Sequence, residues 1–154
     1  MRKSVIVSNR LPLQISKLEN SFLFQPSSGG LATGLDSIHK NNDSLWVGWS
    51  GITSGELTKK NKLEIKNTLD DLRLIEVELN QKEVDEFYHG LSNKCIWPLF
   101  HYFIELAKFN ENDWLTYVDV NKKFCEKVIQ NTEQNGVVWV HDYQLCLLYT
   151  SDAA

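Results

Sequence analysis

Ser4-Val-Ile-Val-Ser-Asn-Arg10 decides the fold. A short β-branched run that stops at Asn9, Arg10 and Pro12 reads as a buried parallel strand feeding a loop. The theme returns near the other end, where Val137-Val-Trp-Val140 runs into His141 and Asp142. Between them, Leu45-Trp-Val-Gly-Trp49 reads as another short strand, closed by the turn residues Ser50 and Gly51. The stretches separating these runs carry helical spacing. Strands alternating with helices predict a doubly wound α/β sheet. In such sheets ligands bind beyond the carboxyl ends of the strands, and Arg10, Trp49 and Asp142 all fall at that edge.

Working outward, Gln14 to Asn20 is polar and reads as a mobile connection, and Ser21 to Gln25 as one side of a hairpin. Pro26-Ser-Ser-Gly-Gly-Leu-Ala-Thr-Gly-Leu35 is a glycine loop opening into a helix. Ser27 or Ser28 can cap it, and Leu31, Leu35 and Ile38 recur at helical spacing. Residues 56–86 predict helix, strand, helix, with the strand within Leu72 to Leu79. The second of these helices starts at a near capping box of Asn80 and Glu83 and is expected to end near Gly90. Pro98 argues against a regular helix through the aromatic segment Cys95 to Tyr102. Tyr117 to Thr132 is the clearest helix, since Tyr117, Val120, Phe124 and Val128 share one face. Val137 to Val140 is expected to be a buried strand.

The 154 residues make one domain's length, and 42% hydrophobic with 23% charged residues is the composition of a folded soluble domain. A net charge of −4 argues against a chain that coats nucleic acid. Charge is uneven: residues 1–55 carry +5 and −3, residues 56–86 carry +6 and −9, and residues 87–154 carry +5 and −8, so only the first third is positive. Cys95, Cys125 and Cys146 form no C-x-x-C pair, an arrangement that fits a reducing cytosol. The apolar run after Met1-Arg-Lys is too short for a signal peptide, and no run approaches the roughly 20 apolar residues of a membrane span. The expectation is a cytoplasmic protein without a membrane partner.

Four groups could do chemistry. Arg10, one of three arginines, can hold a phosphate or carboxylate with two parallel hydrogen bonds; the competing reading is a solvated or ion-paired arginine. Gly29 and Gly30 stand where a helix N-terminus attracts an anion, or they are simply a turn. Trp46, Trp49 and Trp97 are core fillers or flat platforms for sugar rings; alternation puts Trp46 and Gly48 on one face of their strand, Val47 and Trp49 on the other. Asp142 can accept from a sugar hydroxyl or cap the next helix, expected from Leu145 onward. His39, His89, His101 and His141 show no metal-ligand spacing, so no metal site is expected.

Taken together, Val7-Ser-Asn-Arg-Leu-Pro12, Ser28-Gly-Gly-Leu-Ala-Thr-Gly-Leu35, Leu45-Trp-Val-Gly-Trp-Ser-Gly51, Glu86-Phe-Tyr-His-Gly-Leu-Ser-Asn93, Ile96-Trp-Pro-Leu-Phe-His-Tyr102, Tyr117-Val-Asp-Val-Asn121 and Val138-Trp-Val-His-Asp-Tyr-Gln-Leu145 resemble the N-terminal half of the trehalose-6-phosphate synthases. These are retaining family 20 glycosyltransferases of the two-Rossmann-domain (GT-B) type. The resemblance implies glucose transfer from a nucleotide sugar, UDP-glucose in many members, to glucose 6-phosphate, with no cofactor and no metal. It assigns Arg10 and Tyr88 to the acceptor phosphate, Trp49 and Trp97 to the acceptor pocket, with Trp97 helping to fix the α,α linkage, and Asp142 to acceptor hydroxyls. Gly29 and Gly30 match the loop over the donor. It assigns no catalytic residue within the chain, because the main donor-site groups are expected beyond Ala154. Residues 1–148 are then expected to be an incomplete Rossmann-like acceptor domain without its second domain, with little activity alone, and residues 149–154 a tail foreign to the family pattern. For the whole protein a homo-oligomer is admitted. A glucosylglycerol-phosphate synthase and a non-catalytic sugar-phosphate sensor are the alternatives.

Overall fold

The computed structural model describes residues 4–19 and 21–149. Residues 150–154 of the expected foreign tail lie outside the described residues. In chain order the elements are β1 (Ser4–Arg10), a hairpin of β2 (Leu13–Lys17) and β3 (Phe22–Pro26), α1 (Gly30–Asn41), β4 (Ser44–Trp49), α2 (Lys59–Asp71) and β5 (Leu74–Glu76). A helical run comes next, opening as α3 (Gln81–Glu83), continuing as a π-helix (Val84–Ile96) and closing as α4 (Trp97–Phe100). Then come α5 (Glu111–Asn131), β6 (Val137–Val140) and a 3-10 segment, Tyr143–Tyr149.

The main sheet has the order β5-β4-β1-β6 with every pairing parallel. The chain steps outward from β1 to β4 to β5 and then returns to the other side of β1. Strand order therefore reverses between β1 and β6, and such a reversal opens a crevice at the carboxyl ends of the two strands.

Over β1, β4 and β5 each face of the sheet is covered. Val5, Val7, Val47 and Trp49 pack with Phe87, Leu91, Tyr117, Val120 and Phe124 on one side. Ile6, Trp46 and Leu74 pack with Leu35, Ile65 and Leu69 on the other, where the hairpin adds Ile15. The continuous apolar reading of β1 is thus correct, and β4 divides its tryptophans between faces as alternation requires. Full burial of each such side chain contributes roughly 1.5–3 kcal/mol.

Several expectations need correction. The polar stretch expected to be mobile contains β2, which pairs in register with β3 from Leu13 against Pro26 to Lys17 against Phe22. Ile15 explains this, because it is 2% exposed and anchors the strand to the core. Neither Ser27 nor Ser28 caps α1; Gly29 takes the N-cap position without a side-chain hydrogen bond. Helix winding does not stop at Gly90. A Cβ there would lie 2.5 Å from Asp113 Oδ2, so this glycine lets α5 approach closely rather than ending a helix.

Through Cys95 to Tyr102 no regular helix runs, as Pro98 predicts: π winding gives way to α4 at Trp97 and ends at Phe100, although the chain stays wound across the proline itself. The Lys94 carbonyl, which residue 98 would satisfy in an α-helix, accepts instead from the Lys108 N–H at 2.7 Å. Trp97 N–H reaches the Ser92 carbonyl, five residues back, as π winding requires. β6 is a strand but not a buried one: Val137 is 54% and Trp139 47% exposed. Among the described residues it pairs with β1 alone. After it comes the 3-10 segment rather than a helix beginning at Leu145.

Candidate functional site

Hydrogen bonds and a shift of register fix the end of β1. Trp46 Nε1–H donates to Ser8 Oγ at 2.8 Å, and the Ser8 hydroxyl donates to the Arg10 carbonyl at 2.6 Å. The register between β1 and β4 shifts between Val7 and Arg10. Gly48 makes that shift possible, since a Cβ there would meet Leu11 N at 2.9 Å and the Ser8 carbonyl oxygen at 3.0 Å. Bulges of this kind re-aim a side chain.

The side chain re-aimed is Arg10. Its guanidinium carbon sits 4.5 Å from the centre of the Trp49 ring, a cation–π support. Trp49 itself is 4% exposed and donates Nε1–H to the Ile52 carbonyl at 2.8 Å. It therefore stands behind Arg10 with its own donor occupied. Gly51, at φ +95°, leaves the space that the arginine uses, because a Cβ there would come within 2.8 Å of Nη2. Burial lowers the affinity of Arg10 for its proton, and Tyr88 pulls the other way. A guanidinium stays charged in a protein, so that direction signifies a desolvated cation. No carboxylate among the described residues forms an ion pair with it.

The turn after β6 forms the facing wall. His141 N–H donates to the Val7 carbonyl at 2.8 Å, which ties the turn to the sheet. Asp142 adopts φ +75°. Its Oδ1 accepts from Tyr143 N–H at 2.8 Å, so the local hydrogen bond that competed with a ligand role is present. Two helices hold the 3-10 segment beyond the turn: Tyr117 Oη donates to the Tyr143 carbonyl at 2.7 Å, Asn121 Nδ2 donates to the Gln144 carbonyl at 3.1 Å, and Tyr143 Oη donates to Asn93 Oδ1 at 3.2 Å. Burial raises the Tyr117 hydroxyl well above its ordinary value, keeping it a donor. Burial lowers His141, with Asp142 acting in the opposite direction.

Between these walls lies a cleft of about 200 Å³. It brings together Arg10, Gly29, Trp46, Tyr88 and Asp142, which the sequence singled out, with Asn9 and Gln144, which it did not. Gly30 begins α1 beside Gly29. A Cβ at either glycine would touch nothing within 4 Å, so neither is required by packing. Trp97 does not line this cleft. It is 40% exposed and stacks on His101 with ring centres 4.1 Å apart. A larger hollow of about 610 Å³ is lined by side chains of α2, β5 and α5, but its Lys62 and Lys66 are already paired with Glu78 and Asp70. We favour the smaller cleft because it lies at the strand-order reversal and holds the desolvated Arg10.

The model of glycosyltransferase family 20 matches residues 2–151. The chain belongs to that family. Among family 20 relatives, an α,α-trehalose-phosphate synthase [UDP-forming] of Candida albicans is 39% identical over 149 residues, 95% of this chain and 30% of the relative. Solved structures that share the architecture include two. One is the α,α-trehalose-phosphate synthase (UDP-forming) of Burkholderia xenovorans in complex with glucose-6-phosphate, 27% identical with a TM-score of 0.69, covering 96% of this chain and 30% of that one. The other is the trehalose-6-phosphate protein of E. coli bound with UDP-2-fluoro glucose, 30% identical with a TM-score of 0.66, covering 93% and 28%. This family 20 chain thus spans about 30% of the length of the curated relative.

Proposed function

We propose that the chain supplies the acceptor side of a UDP-forming trehalose-phosphate synthase, which transfers glucose from UDP-glucose to glucose 6-phosphate with retention. The observation that carries this reading is Arg10, a half-buried guanidinium with no carboxylate partner among the described residues, held at the crevice between β1 and β6. A phosphate is the partner that such a clamp lacks. Arg10 and Tyr88 would hold the acceptor phosphate, and Asp142 would use its remaining oxygen on a hydroxyl. Trp49 supports the clamp from behind, and the exposed Trp97 face offers a wall further out.

Gly29 and Gly30 open the N-terminus of α1, where backbone N–H groups suit a donor phosphate. The departing diphosphate needs positive charge aimed at it, and the acceptor must lie on the same face of the donor sugar. On this reading the acceptor cradle and one donor loop belong to these residues, and the remaining donor contacts to residues beyond Ala154. Cys95 and Cys146, thiols outside any disulfide among the described residues, fit work in the cytoplasm.

The test is an assay of the whole protein with UDP-glucose and glucose 6-phosphate. We expect UDP and α,α-trehalose 6-phosphate as products. Arg10→Ala should lose about 2–4 kcal/mol of acceptor binding, so that its KM for glucose 6-phosphate rises by a factor of about 30 or more. Arg10→Lys keeps the charge but not the two parallel bonds, and should fall between. An unchanged KM in Arg10→Ala, or turnover only with an acceptor lacking phosphate, would overturn the reading.

A further inference from the structure

We propose that Asn9 and Gln144 form a pair of amides that reads hydroxyl groups in this cleft, holding the carbohydrate part of a sugar phosphate while Arg10 holds its phosphate. The inference rests on the acceptor reading above and deepens it. Both side chains line the cleft, and each residue is only 6% exposed. Asn9 Oδ1 and Gln144 Oε1 are buried, and neither has a hydrogen-bond partner among the described residues. An unsatisfied buried amide oxygen is costly, so two residues carrying one on the lining of a single cleft call for a ligand.

Their chemistry selects the part of the ligand they meet. An amide oxygen only accepts hydrogen bonds, and a fully ionised phosphate has none to donate. The phosphate therefore belongs to the guanidinium, and the amide oxygens belong to hydroxyls. The amide N–H groups can in turn donate to a hydroxyl oxygen, and rotation about the last side-chain bond presents either end. Asp142 cannot do all of this alone, because its Oδ1 is already engaged by Tyr143 N–H at 2.8 Å.

Position supports the pairing. Asn9 precedes Arg10 at the end of β1, held by the Ser8 to Arg10 hydrogen bond. Gln144 belongs to the turn beyond β6, and its backbone is fixed to α5 through Asn121. The two amides thus come from the two elements that form the crevice. A ligand spanning both must carry hydroxyls as well as phosphate, which defines a polyol or hexose phosphate.

The experiment is calorimetric titration of the chain with glucose 6-phosphate and, separately, with inorganic phosphate, for the wild type, Arg10→Ala, Asn9→Leu and Gln144→Met. The last two replace each amide with an apolar group of similar size. We expect each to weaken glucose 6-phosphate binding about tenfold while inorganic phosphate binding stays within about twofold. The melting temperature of the ligand-free variants should be unchanged or higher, because an unsatisfied oxygen has been removed. Arg10→Ala should weaken both ligands. Unchanged glucose 6-phosphate affinity in both amide variants overturns the pair and leaves the clamp standing. A parallel loss of both ligands, with a lower melting temperature, assigns the amides a structural role and also overturns it. A wild-type chain that binds neither ligand overturns the pair and the clamp together.

Discussion

Arg10 is legible because it follows a β-branched run, and a charged residue just past a buried strand must sit at the sheet's carboxyl edge. Its environment is not legible. Trp49 beneath it and Gly51 beside it are neighbours through the β1–β4 register and a positive φ, neither of which a local pattern reports. Asn9 and Gln144 escape for a similar reason: an amide in a loop looks the same whether solvated or buried. Glu76 is another residue whose character comes from packing. Burial raises its carboxyl above the ordinary range, while a hydrogen bond from Ser50 Oγ and nearby Lys62 oppose this. The folded state then favours the protonated form more than the unfolded chain does. Its contribution is complete below the ordinary glutamate value, near pH 4.3, and is lost as pH rises through the folded value. Glu76→Gln should therefore gain on the wild type in denaturant midpoint as pH is raised from about 4 to about 8. A gap that is constant with pH would contradict this.

At the scale of elements, helices declare themselves where an apolar face is buried and hide where it is not. The pattern of α5 starts at Tyr117, the first residue of its buried stripe, yet the helix begins at Glu111. The extra length is held by Asn110, whose Oδ1 accepts from Asn112 N–H at 2.8 Å and Asp113 N–H at 3.3 Å. Asn110→Ala should lower stability by about 1 kcal/mol, read as a lower urea midpoint at unchanged slope. No change in midpoint would mean that the cap is not stabilising. The π-helix is the opposite case. Gly90 and Pro98 are ordinary stop signals, overridden by close contact with Asp113 and by the Lys108 N–H that takes the Lys94 carbonyl. β6 shows what a β-branched run cannot say: whether a neighbour covers its outer side.

At the scale of the molecule, the alternation of strands and helices is enough for the doubly wound class. The strand order β5-β4-β1-β6 is not written in any segment. That order matters most, because it brings Arg10 and Asp142, distant in the chain, to the two sides of one cleft. It also sharpens the charge distribution: Arg10 and Gly29, the N-cap of α1, both come from the positive first third and line the same cleft. Among the described residues no helix is long and apolar enough to cross a membrane. The central claim is that this strand reversal builds a sugar-phosphate cradle around Arg10. A crystal structure of the chain with glucose 6-phosphate tests it most directly. Phosphate density is expected within hydrogen-bond distance of the Arg10 guanidinium, beside Tyr88 and between the ends of β1 and β6. Phosphate bound elsewhere, or an empty crevice at saturating ligand, would contradict it.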